Sequence, residues 1–153
     1  MKTYIVKVDE YGTKRWYLND NPHREDGPAI EYADGLKYWY LDGNLHRSDG
    51  PAIEHPNDTN EWYLNGKCHR TDGPAIEYAD GSKYWYLDGK RHRVDGPAVE
   101  CYTGTKKWYL NGVEYTEADW LKQTQKVKAP CVGKVVEIKV VEIDGVKYKL
   151  VEA

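Results

Sequence analysis

The chain lacks phenylalanine altogether and has one methionine and three cysteines in 153 residues, although it carries 14 tyrosines and 6 tryptophans. The odd number of cysteines and the absence of Cys-x-x-Cys spacing indicate neither a disulfide framework nor a zinc knuckle. No apolar run approaches the roughly 20 residues of a membrane-spanning helix, and residues 1–12 alternate instead of forming the apolar block of a signal peptide. We therefore expect a reduced, cytoplasmic protein without a cleaved leader and without membrane insertion.

The chain also lacks an excess of charge of either sign. It has 22 basic and 25 acidic side chains, which gives a formal net charge of −3, and both signs are interspersed. Proteins that bind long nucleic acids take much of their affinity from a basic surface. The charge balance argues against long nucleic acids as partners.

An internal repeat of 23 residues dominates the sequence, with no insertion between copies. One complete unit, residues 37–54, reads KYWYLDGNLHRSDGPAIE and is joined to its neighbours by links such as YADG. A last copy, KKWYLNGVEY at residues 106–115, keeps only the first half of the unit, as expected of a terminal repeat. The equivalent tryptophans are Trp16, Trp39, Trp62, Trp85 and Trp108.

Each unit predicts two short strands. The aromatic segment 38–41 ends at Asp42-Gly43, which is a strong two-residue hairpin signal. A second segment, 51–54, follows another Asp-Gly and begins with proline, which a first strand position tolerates. The predicted fold is an all-β repeat, an elongated antiparallel meander of about five hairpin repeats. Alternation places Trp39 opposite to Tyr40, and we expect the tryptophan, leucine and isoleucine ladders to be buried and the tyrosine ladder to lie on the wetter face.

The aromatic strand ending in Asn/Asp-Gly, the histidine after it and the Tyr-x-Asp-Gly link resemble MORN repeats. A MORN repeat has glycine directly after the histidine, whereas here Arg47-Ser48-Asp49 separates His46 from Gly50. The sequence is therefore similar to the MORN-like variant of proteins from tailed bacteriophages and some large viruses. The resemblance covers residues 12–112. It implies an elongated scaffold for proteins, sometimes for lipids, and the host cytoplasm as the location of a viral member.

The two ends of the chain differ from the repeats. Residues 1–11 predict a capping strand, with Tyr4, Val6 and Val8 on one face. In the C-terminal segment, residues 113–153, Thr116 and Asp119 predict the start of a short helix that continues to about Gln125. Alternating apolar residues on both sides of a turn at 144–145, in the segments 136–140 and 146–150, then predict an amphipathic hairpin. Its apolar face closes the open end of the sheet or pairs with a second copy in a homodimer.

The His-Arg-x-Asp-Gly-Pro segment is the only polar group of residues with catalytic side chains, and it predicts no enzyme. Equivalent histidines in such a meander are about 9.6 Å apart, too far to share a zinc ion whose ligand bonds are about 2.0–2.1 Å. The two serines, Ser48 and Ser82, stand at variable positions of the repeat. An active site is one asymmetric constellation, whereas this segment recurs four times. We expect no catalytic residue, no metal and no cofactor.

Two interpretations of the repeated polar residues remain open. In the first, His46 and Asp49 satisfy backbone donors and Arg47 pairs with an acid on the next strand. In the second, the ladders form a binding strip for a protein partner, such as a host defence factor inhibited by a phage accessory protein, or for small nucleotides and other anionic signalling molecules. The candidate strip consists of Tyr17, Tyr40, Tyr63, Tyr86, Tyr109, His23, His46, His69, His92, Arg24, Arg47, Arg70 and Arg93.

Overall fold

The computed structural model describes residues 4–128, 140–143 and 146–149. Short strands joined by turns and loops form the repeats, and one helix and a final hairpin follow them. The elements are β1 (Ile5–Val8), β2 (Lys14–Leu18), β3 (Asn21–Pro22), β4 (Ile30–Glu31), β5 (Lys37–Tyr38), β6 (Tyr40–Leu41), β7 (Asn44–Leu45), β8 (Ile53–Glu54), β9 (Asn60–Glu61), β10 (Tyr63–Leu64), β11 (Lys67–Cys68), β12 (Ile76–Glu77), β13 (Lys83–Tyr84), β14 (Tyr86–Leu87), β15 (Lys90–Arg91), β16 (Val99–Glu100), β17 (Lys106–Leu110), β18 (Val113–Tyr115), α1 (Glu117–Lys128), β19 (Val140–Ile143) and β20 (Val146–Lys149).

The repeats form one long, open antiparallel sheet, which confirms the predicted fold class. Its strand order is β1-β2-β4-β5-β8-β9-β12-β13-β16-β17-β18, and β3 pairs with β2 beside this path. Strands that follow one another in this order pair side by side. The Tyr-x-Asp-Gly links and the loops of the repeat reverse the direction of the chain between them. Each internal repeat therefore contributes two strands to the sheet, as the sequence predicts.

In the internal repeats the aromatic segment is not one continuous strand, because it leaves the long sheet at its tryptophan. In the first and last copies it forms the continuous strands β2 and β17. The Trp39 N–H donates to the Ala52 carbonyl in the sheet, whereas its carbonyl accepts from the His46 N–H in a separate hairpin. That hairpin pairs β6 with β7 across Asp42-Gly43, where both residues have positive φ (48° and 79°). Asp and Gly tolerate this conformation, which explains the turn residues. Equivalent two-stranded hairpins pair β10 with β11 and β14 with β15.

Successive hairpins are hydrogen-bonded to one another, so the repeats are joined outside the long sheet as well. The Arg47 N–H donates to the Tyr63 carbonyl at 3.1 Å, and the Gly66 N–H donates to the Leu45 carbonyl at 2.8 Å. The same pair of bonds recurs along the array. Every internal repeat thus contacts its neighbour through two rows of backbone hydrogen bonds, one in the long sheet and one between the hairpins. Equivalent residues of successive repeats are therefore placed in the same way.

The centre of the sheet is packed with small residues between tryptophans. Ala29, Ala52, Ala75 and Ala98 have no exposed surface. The strand register places Ala75 between Trp62 and Trp85 of two consecutive repeats. Two indole rings on the flanking strands leave room for little more than a methyl group, which explains alanine at this position.

The expected division into a buried tryptophan face and a wet tyrosine face is wrong. Tryptophan and leucine do share one side, but all five repeat tryptophans are only half-buried. The isoleucines lie on the other side, since Ile53 is registered opposite Tyr38 and Glu61, and cross-strand partners share a face. On this tyrosine side, Tyr109 is buried, and Ile53 and Val99 are buried as well. Alternation assigned the relative sides correctly, whereas the register of the second strand decided which apolar residues meet.

The two ends of the array are finished differently. At the N-terminal end β1 pairs with β2 as predicted, and Ile5, Val6 and Val8 of β1 expose about half or more of their surface (49%, 51% and 63%). At the other end α1 packs on β17 and β18. Its N-cap is Thr116, whose Oγ1 accepts from the Asp119 N–H. The helix extends to Lys128, three residues beyond the predicted end.

The C-terminal hairpin is present between β19 and β20, which pair antiparallel in a two-stranded sheet of their own. The predicted strands were longer, and residues 136–139, 144–145 and 150 lie outside the described residues. So do the side chains of this hairpin, and with them the predicted contact of its apolar face with the sheet or with a second copy.

Candidate functional site

The arginine of each complete repeat is held in a network that we call the arginine clamp. Arg47 Nε donates to Asp49 at 2.9 Å, and its Nη1 donates to Glu54 at 2.7 Å and to the Pro51 carbonyl at 3.2 Å. The guanidinium stacks on the Trp39 ring, 4.2 Å from its centroid. The same contacts recur around Arg24, Arg70 and Arg93. The predicted pairing with an acid on the next strand is confirmed, at Glu54.

The glycine of the motif makes room for this arginine. Gly50 is not among the residues with positive φ. A Cβ at Gly50 would lie 2.8 Å from Arg47 Cζ, and equally close contacts occur at Gly27, Gly73 and Gly96. A methyl group here would force the guanidinium away from the carboxylates and the indole. The His-Arg-x-Asp-Gly-Pro sequence therefore encodes the clamp, since Asp, Gly and Pro each contact the arginine.

The histidine before each clamp joins two repeats. His23 Nδ1 lies 3.0 Å from the backbone nitrogen of Asp42 and 2.8 Å from its carboxylate, in the hairpin turn of the next repeat. The same backbone contact links His46 to Asn65, His69 to Asp88 and His92 to Asn111. The histidines thus satisfy a backbone donor, as the first interpretation expected, but in the following repeat and not in their own bend.

Three open grooves lie between successive clamps on the tryptophan side. The central groove, of about 400 Å³, has Trp62 and Leu64 at its floor, with the loop 47–51 on one wall and 69–72 on the other. The groove before it is about 460 Å³ and has Trp39 and Leu41 at its floor, and the groove after it is about 630 Å³, with Trp85 and Leu87. The clamps therefore create the same half-apolar surface three times in a row.

The tyrosine ladder does not share this surface with the arginines and histidines. Tyr63 donates to Glu61, and Tyr86 and Tyr109 accept from Arg91 on the tyrosine side. The grooves are lined by tryptophan and leucine instead. The candidate strip is thus two surfaces. The residues that line the grooves are His46, His69, His92, Arg24, Arg47, Arg70 and Arg93, whereas His23 is buried and lines none of the three. The tyrosines alternate to the other side: Tyr17, Tyr40, Tyr63, Tyr86 and Tyr109.

The groove floor was missed in the sequence because tryptophan and leucine were assigned to the core. The signal that could have revealed it is the acid seven residues after each arginine, at Glu31, Glu54, Glu77 and Glu100. Its constant spacing indicates that the arginine folds back over its own repeat. In the structure the arginine so placed stacks on the tryptophan of the same unit.

On the tyrosine side, burial raises the pKa of several acidic side chains. It raises the pKa of the Cys68 thiol to about 12 from 9.0, and nearby Glu61 adds to the effect. Burial and the Glu61 carboxylate also raise the pKa of Tyr63 well above 10.0. These groups are protonated in the folded protein at neutral pH. The Cys68 thiol is therefore not a reactive thiolate at neutral pH.

We expect stability to decrease in alkaline solution. In the unfolded chain Cys68 and Tyr63 lose their protons near the ordinary values, whereas the folded chain holds them to higher pH. Their contribution to stability is complete below about pH 9 and is lost as pH rises towards the raised values. The urea midpoint should fall between pH 9 and 12, less steeply in Cys68→Ala than in the wild type. Tyr102→Phe, which removes an exposed phenol, serves as the control. If the urea midpoint of Tyr102→Phe fell with pH as gently as that of Cys68→Ala, the pH dependence could not be assigned to the buried thiol.

The described residues, 4–128, 140–143 and 146–149, hold no group of three or more His, Cys, Asp or Glu side chains that could bind a metal ion. Among the same residues, no helix is long and apolar enough to cross a membrane. No protein-family model matches the chain, and no curated protein is similar to it.

Proposed function

We propose that the chain is a non-enzymatic repeat scaffold that binds a protein partner along its three grooves. The observation that carries this proposal is the repetition of one groove, with a half-buried tryptophan and leucine at its floor, three times at a constant spacing. A series of equal, shallow sites fits an extended polypeptide that contacts all of them. Aromatic side chains at such positions are typical of the residues that contribute most to protein binding.

The charges of the clamp favour a protein over a small nucleotide. Nε and Nη1 of each clamp arginine already donate to two carboxylates and a carbonyl. A phosphate would have to displace these carboxylates, and the aspartates would repel it. The repeated arginines were the feature that favoured the binding of small nucleotides. Their donor groups are instead used within the clamps.

The proposed scaffold also accounts for the resemblance to MORN-like proteins of tailed bacteriophages. Four nearly identical clamps are structural units, which fits a protein without a catalytic centre. As an accessory protein of a phage, the scaffold would inhibit a host defence factor by occupying it. Host proteins are accordingly the first partners to test.

Affinity capture from host lysate tests the proposal with three forms of the full chain. Ser48 and Thr71 are exposed and between them line all three grooves, so Ser48→Arg/Thr71→Arg alters every groove without touching a clamp. Ala33→Arg/Ala79→Arg adds the same charge in exposed link turns. We expect one host polypeptide to be retained by the wild type and the link variant and lost by the groove variant. Equal retention by all three, or background only at micromolar bait, would count against the scaffold.

A further inference from the structure

The last repeat shows how an aromatic side chain covers the wall of a clamp. Tyr115 and Thr116 stand where a complete repeat has its His-Arg pair, and α1 begins at the next residue. From α1 the buried Trp120 donates its indole N–H to the Arg93 backbone carbonyl at 3.0 Å. The helix thus follows where the next clamp loop would begin, and its Trp120 contacts the backbone of the last clamp.

The carbonyls of Arg24, Arg47 and Arg70 have the same position on the walls of the three open grooves. Each clamp arginine donates its backbone N–H to a tyrosine carbonyl of the next repeat at 3.0–3.1 Å, and its side chain donates to the proline carbonyl four residues later, so the four loops are placed alike. Among these four carbonyls, only that of Arg93 accepts a hydrogen bond within the described part of the chain. Each open groove therefore offers the acceptor that Trp120 uses.

The groove rims are acidic. In each clamp the arginine side chain is largely covered, whereas its aspartate is mostly exposed, so the charge that the rim presents to solvent is that of the carboxylate. Hydrogen bonds from the arginines lower the pKa of Asp26, Asp49 and Asp72. These aspartates are ionised at neutral pH, and 78–85% of each side chain is exposed. A cationic segment complements this rim, whereas an acidic segment is repelled.

We propose that the grooves bind a basic peptide segment that inserts a tryptophan against the clamp wall as Trp120 does. This inference rests on the scaffold function proposed above and names the chemistry of its partner. The indole N–H donates to the free arginine carbonyl, its ring packs on the tryptophan and leucine of the floor, and flanking lysines or arginines pair with the rim aspartates. Phenylalanine has no N–H for the carbonyl, so tryptophan is the preferred anchor.

Calorimetry on the full chain with three acetylated, amidated heptapeptides tests the inference. KKAWAKK combines the basic charge with tryptophan, KKAAAKK removes the indole, and EEAWAEE reverses the charge. We expect KKAWAKK to bind at least tenfold more tightly than either control peptide. Its affinity should fall at least fivefold in Ser48→Arg/Thr71→Arg and stay unchanged in Ala33→Arg/Ala79→Arg.

Two results would overturn the inference. One is equal affinity for KKAWAKK and KKAAAKK, and the other is an equal loss of KKAWAKK binding in the groove and link variants. Groove-dependent capture of a host protein, combined with no preference among the three peptides, would retain the scaffold function and reject the basic tryptophan segment as its partner.

Discussion

Replacing Ala75 with leucine is expected to destabilise the array by about 3 kcal/mol, at the upper end of the range for overpacked positions. Ala75 has no exposed surface and stands between Trp62 and Trp85 on its two neighbouring strands. The added carbons have no space unless an indole moves, and a displaced indole also loses its stacked arginine, since Arg70 Cζ lies 4.0 Å from the Trp62 ring centroid. The loss combines overpacking with a weakened clamp.

Urea unfolding followed by circular dichroism measures this loss. Because each repeat contacts only its neighbours, a defect at Ala75 uncouples the two halves of the array, and we expect one transition to become two. Ala79→Leu is the matched control, since it adds the same side chain at an exposed position four residues away. A variant Ala75→Leu that unfolds at the wild-type midpoint would disprove the packing of the alanine row.

Removal of the clamp arginine in Arg47→Ala is expected to cost about 2–3 kcal/mol, because Glu54 loses its charged partner and the Trp39 ring loses its stacked cation. Arg47→Lys should recover little of this. A lysine ammonium keeps the charge but cannot present one planar face to the indole and two separate nitrogens to Asp49 and Glu54.

A double-mutant cycle with Gly50 separates the clamp from other effects. Gly50→Ala alone is expected to cost about 1–2 kcal/mol, since its Cβ would lie 2.8 Å from Arg47 Cζ. In the Arg47→Ala background the same methyl group meets no guanidinium, and its cost should almost disappear, which gives a coupling of about 1 kcal/mol or more. Additive losses in the two backgrounds would mean that the glycine is needed for its backbone conformation and not for the arginine.

The repeat period predicted most of the architecture, since the turn residues of every unit allow only short antiparallel strands. Thr116 likewise located the start of the helix. The partition of the aromatic residues was not predictable in the same way. Alternation shows that Trp39 and Tyr40 point to opposite sides, but the side on which Ile53 lies depends on the register of another strand.

The sequence predicted single contacts of the site but not how these contacts combine. The link from Arg47 to a strand acid followed from charge and spacing. That the same arginine also covers Trp39 is a tertiary contact, which alternation along the strand does not indicate. The role of Trp120 was out of reach, because the truncated last copy indicates that no clamp loop follows Arg93 but not that a helix residue binds its carbonyl.

The uniform step of 23 residues has a consequence for how such a chain changes its size. Each internal repeat forms the same bonds with the unit before it and the unit after it, whereas β1 and α1, at the two ends of the array, differ from the repeat. A duplication or deletion of one whole unit therefore leaves every junction intact and changes the number of grooves by one. Valency, and with it the avidity for a partner that spans several grooves, can thus be altered in single steps without redesign of any contact.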